Sequence, residues 1–328
     1  FMTFIRKNKL FASLEGSKIQ QVIIQSGAGI TATAQKEANP GSMKSSREMG
    51  VRSYPNSSGQ HQTKGYELIG ELEFEKNTER IAQEAVALLS AKECPSINTT
   101  VILDGTQLTL QIHESIGHPL ELDRVFGAEK NFSGTSFATT DKLNNLKYGS
   151  DIVNIVADST SPYGLGTFGY DDEGVKANRS FLIKNGILVG YLTSRETAPL
   201  VGTASNGCMR ASNWANIPLI RMTNINLLPG DKTLEEIISE VDDGIYMQTV
   251  RTWSIDDNRE NFQMGCEIGW EIKNGKLGEM IKNPSYSGKT VEFWNSCDAI
   301  ADGKSWQIWG TPNCGKGQPA QNMPTSQG

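Results

Sequence analysis

The sequence predicts an α+β protein, with an N-terminal α/β portion followed by a β-rich C-terminal domain and a histidine-bearing helix at the entry to that domain. Three observations predict it. Residues 75–91 carry apolar side chains at helical spacing. A short apolar run, Thr99-Thr-Val-Ile-Leu-Asp104, feeds through Gly105 into a helical stretch holding two of the three histidines. Beyond Pro119, apolar runs are punctuated by Asn-Gly pairs, the two-residue signal of a β-hairpin. The implied division is 1–96, a partial N-terminal α+β domain, and 97–328, the C-terminal domain.

In chain order, Lys9-Leu-Phe-Ala-Ser-Leu14 and Ile19-Gln-Gln-Val-Ile-Ile-Gln25 read as two strands joined by a turn at Glu15-Gly-Ser17. Residues 27–33 form a glycine-containing strand candidate; no Lys-Ser/Thr follows, so this is not a phosphate loop. From 36 to 64 the composition shifts to Ser, Asn, Gln, Gly and Lys, which predicts a long loop or mobile segment with His61 solvated in it. In the helix over 75–91, Asn77 or Thr78 is the expected cap, Ile81, Ala85, Val86 and Leu89 the expected apolar face, and Pro95 the stop. Strands are expected over 151–157, 180–184, 187–192 and 267–272, with turns at Asn185-Gly186 and Asn274-Gly275. Helices are expected over 194–200 and 233–240.

At 328 residues the chain is long enough for a substantial core and, as a prior, two domains. A net charge of −6 and a pI near 5.3 provide no basic stripe, so direct nucleic-acid binding is not expected. No run of 18 apolar residues appears, so no membrane-spanning helix is expected. Five cysteines, an odd and scattered set, argue against a disulfide framework and fit a reducing compartment, which makes the cytoplasm the expected location.

The chemistry concentrates at Leu108-Thr-Leu-Gln-Ile-His-Glu-Ser-Ile-Gly-His-Pro-Leu120. Imidazole is a common zinc ligand, and a carboxylate beside the metal can take a proton from water, so His113, Glu114 and His118 hold the parts of a hydrolytic metal centre. The two histidines are five apart, which on a regular α-helix leaves them about 140° apart. A widened turn with i→i+5 bonding would bring them together. Gly117 permits that distortion, and Pro119 disfavours a helical backbone at His118, so the second histidine is expected where the helix bends or ends. A catalytic zinc takes three protein ligands, which leaves one to find. His61, the many carboxylates and Cys314 are the candidates; Cys314 lies in Thr311-Pro-Asn-Cys-Gly-Lys-Gly317, where small residues allow close approach and Lys316 would favour thiolate.

These residues carry a resemblance. His113-Glu-x-x-x-His118, Leu120-Glu121 with Asp123, Ser133-Gly-Thr-Ser-Phe137, Asp171-Asp-Glu-Gly174, Lys184-Asn-Gly-Ile-Leu-Val-Gly-Tyr191, Arg221-Met-Thr-Asn224 and Cys314-Gly-Lys-Gly-Gln318 resemble, in the same order, the TldD/PmbA family of metallopeptidases, often labelled modulators of DNA gyrase. The resemblance runs from about residue 70 to 318, and the intact metal motif is similar to the TldD-type, catalytic branch, not the TldE-like branch that lacks the ligands. It implies a zinc peptidase, with iron left open as the metal, acting on extended, unstructured peptides. It also implies a barrel- or sandwich-like core, further sequence before Phe1, and a homodimer or a heterodimer with a TldE/PmbA-like subunit. It places the third metal ligand at Cys314, beside His113 and His118, with Glu114 as general base. A thiolate with two imidazoles leaves Zn²⁺ at net +1, which acidifies water less than three imidazoles would and makes that base more necessary. The alternative is a non-catalytic peptide-binding or scaffolding subunit.

Other residues read less sharply. Glu121 and Asp123 are either acceptors that orient a ligand ring or a solvated acidic pair. Asp171–Gly174 reads as a turn, and Trp294, Trp306 and Trp309 either line a groove or pack in the core. With no histidine left to activate Ser133 or Ser136, a serine nucleophile is unsupported.

Overall fold

The computed structural model describes residues 1–37 and 47–328, so part of the expected 36–64 loop lies outside the described residues. Most of the remainder of that segment is strand, with turns and irregular backbone at 55–59 and 63–64. Strand Arg47–Tyr54 pairs antiparallel with Ile30–Glu37, and Gln60–Gln62 adds to Lys18–Ala28. Its polar composition hides a buried ion-pair network: Arg52 donates to Glu84 Oε2 at 2.6 Å and to Thr249 Oγ1 at 2.6 Å, and Glu267 accepts from Ser53 N and Oγ at 2.7 Å each. A strand whose buried residues include Arg52 and Ser53, satisfied by partners 32 to 214 residues on, has no hydrophobic alternation to read. His61 is correspondingly half-buried on a strand, its Nε2 bonded to Ser58 O at 2.9 Å, not solvated in a loop.

The first two strands are longer than expected, Met2–Ala12 against Lys18–Ala28, around a turn containing Gly16 at φ 91°. The helix is Phe74–Leu88 with Glu73 at its N-cap; Thr78 lies inside it, its hydroxyl donating to Phe74 O. Its buried face is Ile81, Ala85 and Leu88, a clean i, i+4, i+7 stripe, whereas Val86 is 60% exposed. Close packing fixes this face: a Cβ at Gly50 would meet Ala85 O at 1.9 Å.

Among the described residues two six-stranded open sheets build most of the rest, a β-rich arrangement as expected, and neither sheet closes into a barrel, one of the two forms, barrel- or sandwich-like, that the resemblance implied. In one, the long hairpin of Asp243–Ile255 and Asn261–Lys273 is central, and Thr100–Leu103 runs parallel beside it on the edge. Asn274 and Gly275, at φ 49° and 72°, make the primed turn expected of Asn-Gly and lead into Lys276–Lys282. In the other, the order is Ile187–Leu188, Arg179–Lys184, Ile155–Asp158, Asn224–Leu227, Gln321–Gln327, Trp309–Lys316. The expected strand over 187–192 stops at Leu188, because Leu192 leaves the sheet to bridge Glu121. Of the expected helix over 194–200, one 3-10 turn forms at Ala198–Val201; the hydroxyls of Ser194 and Thr197 bond nearby backbone and each other instead. Leu234–Ser239 is a helix with a capping box between Thr233 and Glu236. One apolar core, including Ile112, Ile116, Leu120, Tyr148, Ile155, Leu182, Ile225, Trp294 and Cys314, joins the histidine-bearing helix to the second sheet.

Candidate metal centre

Strand Thr100–Leu103 delivers the chain to Asp104, whose carboxylate accepts from Thr106 N at 2.9 Å and caps the helix Gly105–Ile112. The next turn, His113–Gly117, is a π-turn: the His118 N–H donates to His113 O, five residues back. That is the widened turn the spacing called for, and it sets the two imidazoles edge to face with centroids 4.8 Å apart. Gly117 has an ordinary right-handed helical backbone, φ −59° and ψ −63°, so the widened turn does not use the conformational freedom expected of it; what its missing Cβ provides is room, since a Cβ there would stand 2.0 Å from Met222 Sδ.

The role expected of Pro119 needs correction. His118 is helical, φ −63° and ψ −44°, and the chain continues as a 3-10 turn to Leu120 before opening at Glu121. In a regular helix the Pro119 ring would collide with the carbonyl four residues back, that of Ser115. Here the widened turn frees that carbonyl, which accepts from Tyr148 OH at 2.6 Å. Trp294 Nε1 fixes the Ser115 hydroxyl at 2.9 Å, so this tryptophan serves the core.

Cys314 comes back over this turn on the strand Trp309–Lys316, with its Sγ 3.5 Å from His118 Nε2. One ligand atom from each of His113, His118 and Cys314 falls within 4.8 Å of the others, and all three residues are buried. Two nitrogens and a sulfur suit zinc. His113 Nδ1 is buried with no partner among the described residues, as an atom reserved for a metal would be. His61 is not in the cluster.

The surroundings bear on each candidate ligand. His118 Nδ1 bonds Glu121 Oε2 at 3.0 Å, which leaves Nε2 for coordination. Burial pushes the Glu121 carboxyl up, but Lys316, His118 and Arg124 outweigh it and hold the group well below the ordinary carboxylate range. Burial likewise raises the Cys314 thiol, yet the His118 ring beside it and then Arg221 bring it below its ordinary value. Lys316, which the sequence suggested as the group favouring thiolate, forms its bonds elsewhere. Its ammonium is buried against Asp123 Oδ1 at 2.7 Å, Ile220 O at 2.7 Å and Glu121 Oε2 at 3.4 Å, so Asp123 is the lysine's partner and not a histidine's. Burial lowers His113, favouring the neutral ring that a metal requires. Glu121→Gln is expected to weaken zinc affinity about 10–100-fold, because the amide is a poorer acceptor for the His118 ring; a competition titration with a chromophoric chelator would show it, and unchanged affinity would remove Glu121 from the site.

Glu114 lies beside the cluster, buried, with Oε2 accepting from Arg259 Nη1 at 2.6 Å. Burial raises its carboxyl, while the His118 and His113 rings and Arg259 more than offset that and bring it below its ordinary value. Among the described residues its Oε1 forms no hydrogen bond. Sequence reasoning missed three arginines here. Arg259 sits on the tip of the long hairpin; Arg221, quoted in a motif but given no role, donates to Cys314 O; Arg124 donates to Glu121 Oε2 at 3.2 Å and to Ser133 O at 2.6 Å. Ser133 thus belongs to an arginine network. Asp171 is the turn residue expected, its carboxylate accepting from the backbone N–H groups of Glu173, Val175 and Met209. Trp306 and Trp309 line a cavity of about 1270 Å³ with Leu108, Thr109 and Ile112, and the otherwise buried Trp294 also borders it; none of the clustered residues does, so it lies off the candidate metal centre.

The profile of the PmbA/TldA metallopeptidase C-terminal domain matches residues 96–324. A metalloprotease of Methanocaldococcus jannaschii is 34% identical over 80% of this chain and 57% of its own length. A metalloprotease TldD homolog of Buchnera aphidicola subsp. Schizaphis graminum is 30% identical over 80% of this chain and 52% of its own. A zinc metalloprotease TldD homolog of Saccharolobus solfataricus is 30% identical over 61% and 43%. The chain thus spans about half the length of the curated relatives it matches. Among solved structures, a modulator of a DNA gyrase from Thermotoga maritima has a similar fold, with TM-score 0.68 and 21% identity over 88% of this chain and 60% of that one. TldE from Thermococcus kodakarensis gives TM-score 0.66 and 18% identity over 95% and 63%.

Proposed function

This chain belongs to the PmbA/TldD metallopeptidase family, and from that premise we propose that it is a zinc-dependent peptidase hydrolysing extended, unstructured peptides. The observation that carries the proposal is the buried His113, His118 and Cys314 donor set, with the Glu114 carboxylate directly beside it. Held by these three residues, a zinc ion would polarise a peptide carbonyl and acidify a water. Glu114 is the general base: its Oε1, free of the arginine, accepts a proton from the attacking water and passes it to the leaving amine. Arg259 holds the other oxygen, and Glu121 keeps the His118 ring turned toward Cys314. Depletion of solvent around these groups strengthens each interaction.

The zinc name carried by the Saccharolobus relative supports the choice of metal, and iron is the alternative that elemental analysis distinguishes. The proposed catalytic unit is 97–328, in line with the matched residues, and the proposed partner is a second copy or a TldE/PmbA-like subunit. No helix of the described residues is long and apolar enough to cross a membrane. The test is elemental analysis of the pure protein, with a mass-spectrometric digest of an unstructured peptide before and after chelation. About one zinc per chain and chelator-sensitive cleavage support the proposal; bound zinc without cleavage would favour the scaffolding alternative.

A further inference from the structure

We infer that Arg259, delivered by the tip of the long hairpin, is a positioning residue that holds Glu114 in its working orientation; this rests on the peptidase reading above. Arg259 belongs to neither metal ligation nor any of the motifs. It lies in the turn between Asp243–Ile255 and Asn261–Lys273, 145 residues after Glu114, and is only 9% exposed.

Its backbone is at φ 63°, in the left-handed region that an L-arginine rarely adopts. Such conformations persist where the surroundings over-determine them, and functional sites are where they gather. The surroundings here do so. Arg259 N donates to Asp256 O at 2.9 Å, and its carbonyl accepts from the buried Thr290 hydroxyl at 2.7 Å. The tip is docked on the segment after Arg124: Thr135 N donates to Asp257 O at 2.7 Å and Phe137 N to Asn258 O at 2.9 Å. Thr135 Oγ1 adds a bond to Asn258 Oδ1 at 2.8 Å. Gly134, at φ 82°, leaves the room, since a Cβ there would stand 2.2 Å from Asp257 O.

From this fixed tip the guanidinium reaches inward and is held at both ends, Nη1 on Glu114 Oε2 at 2.6 Å and Nη2 on Ser133 O at 3.0 Å. A planar fork anchored twice defines the plane and distance of the carboxylate it meets, which an ammonium cannot do. A buried ion pair of this kind is a poor source of stability compared with apolar packing. Strained backbone adds to that cost, so the arrangement is better explained by the placement it gives Glu114. A base displaced by about 1 Å loses on the order of 10²-fold in rate.

The test compares Arg259→Ala and Arg259→Lys with the wild-type zinc protein, using β-casein as the unstructured substrate. Zinc per chain, kcat, KM and the effect of added guanidinium chloride at tens of millimolar are measured. The inference expects Arg259→Ala to keep its zinc, change KM less than about threefold, and lose on the order of 10²-fold in kcat. Guanidinium should restore at least tenfold of that loss, with no gain in wild type, and Arg259→Lys should fall between the two. Full kcat in Arg259→Ala would overturn the inference, as would a loss that guanidinium leaves untouched or that follows lost zinc. A wild-type protein that leaves casein intact would overturn the peptidase reading and this inference with it, whereas an active wild type with an equally active Arg259→Ala overturns only the inference.

Discussion

Glu114→Gln should retain its zinc and lose peptide hydrolysis by about 10²- to 10⁴-fold, the range that general-base catalysis contributes. The amide matches the carboxylate in shape and keeps an oxygen for Arg259 Nη1, so the placement of the side chain and the three ligands is left as it is. What it lacks is a site for the proton. Burial raises the Glu114 carboxyl, yet it sits below its ordinary value, and with both imidazoles neutral on zinc the Arg259 guanidinium, bonded at 2.6 Å, is the side-chain charge that still favours the ionised form a base must start from. Zinc by elemental analysis and kcat on a single cleavable peptide separate the two effects. Normal turnover in this variant would take Glu114 out of the mechanism.

Cys314→Ala should strip the protein of metal and activity together. With one of three ligands gone, zinc after matched dialysis at neutral pH should fall from near one per chain to below about a tenth. Cys266→Ala and Cys297→Ala are the controls. Cys266 is packed with Ile245, Met247 and Ile281 in a different apolar cluster, and Cys297 lies at the edge of the main core. Losing a buried thiol there should cost packing of about 1 kcal/mol and no zinc. The electrostatics set Cys314 apart in the same way: burial pushes the Cys208 thiol up to about 12 and the Cys297 thiol to about 11, whereas Cys314 is brought below its ordinary value. Zinc binding should also weaken as pH falls, because protons then compete for both imidazoles and for the thiolate. Equal zinc in the three variants would show that Cys314 is not a required ligand.

How much of this was legible in the sequence depends on how far apart the interacting residues lie. His113, Glu114 and His118 are local, and their five-residue spacing demanded the π-turn that is present. Glu121 and Asp123 were open in the sequence between ring acceptors and a solvated acidic pair; Glu121 bonds the His118 ring and Asp123 does not, a choice that three- and five-residue spacings could not make. Cys314 is 196 residues from His118, and nothing in its spacing pairs the two; the family resemblance supplied that link. Arg259, 145 residues from Glu114, had no such guide, since an arginine in a polar turn reads as solvated until the hairpin tip is seen docked. The same physics hid the strand Arg47–Tyr54, whose buried Arg52 and Ser53 answer to Glu84 and Glu267 rather than to a hydrophobic pattern. Pro119 misled for a local reason, because the bias it places on His118 assumes regular surroundings, and the widened turn removes them.

The central claim is that two imidazoles and one thiolate of this chain hold a zinc ion beside Glu114. X-ray absorption at the zinc edge of the purified protein tests it most directly. The expected spectrum has one sulfur scatterer at about 2.3 Å and two or three nitrogen or oxygen scatterers at about 2.0–2.1 Å, with imidazole multiple scattering. The sulfur shell should be absent from whatever zinc Cys314→Ala retains. A wild-type spectrum with no sulfur, or with four protein donors and no open position, would contradict the account.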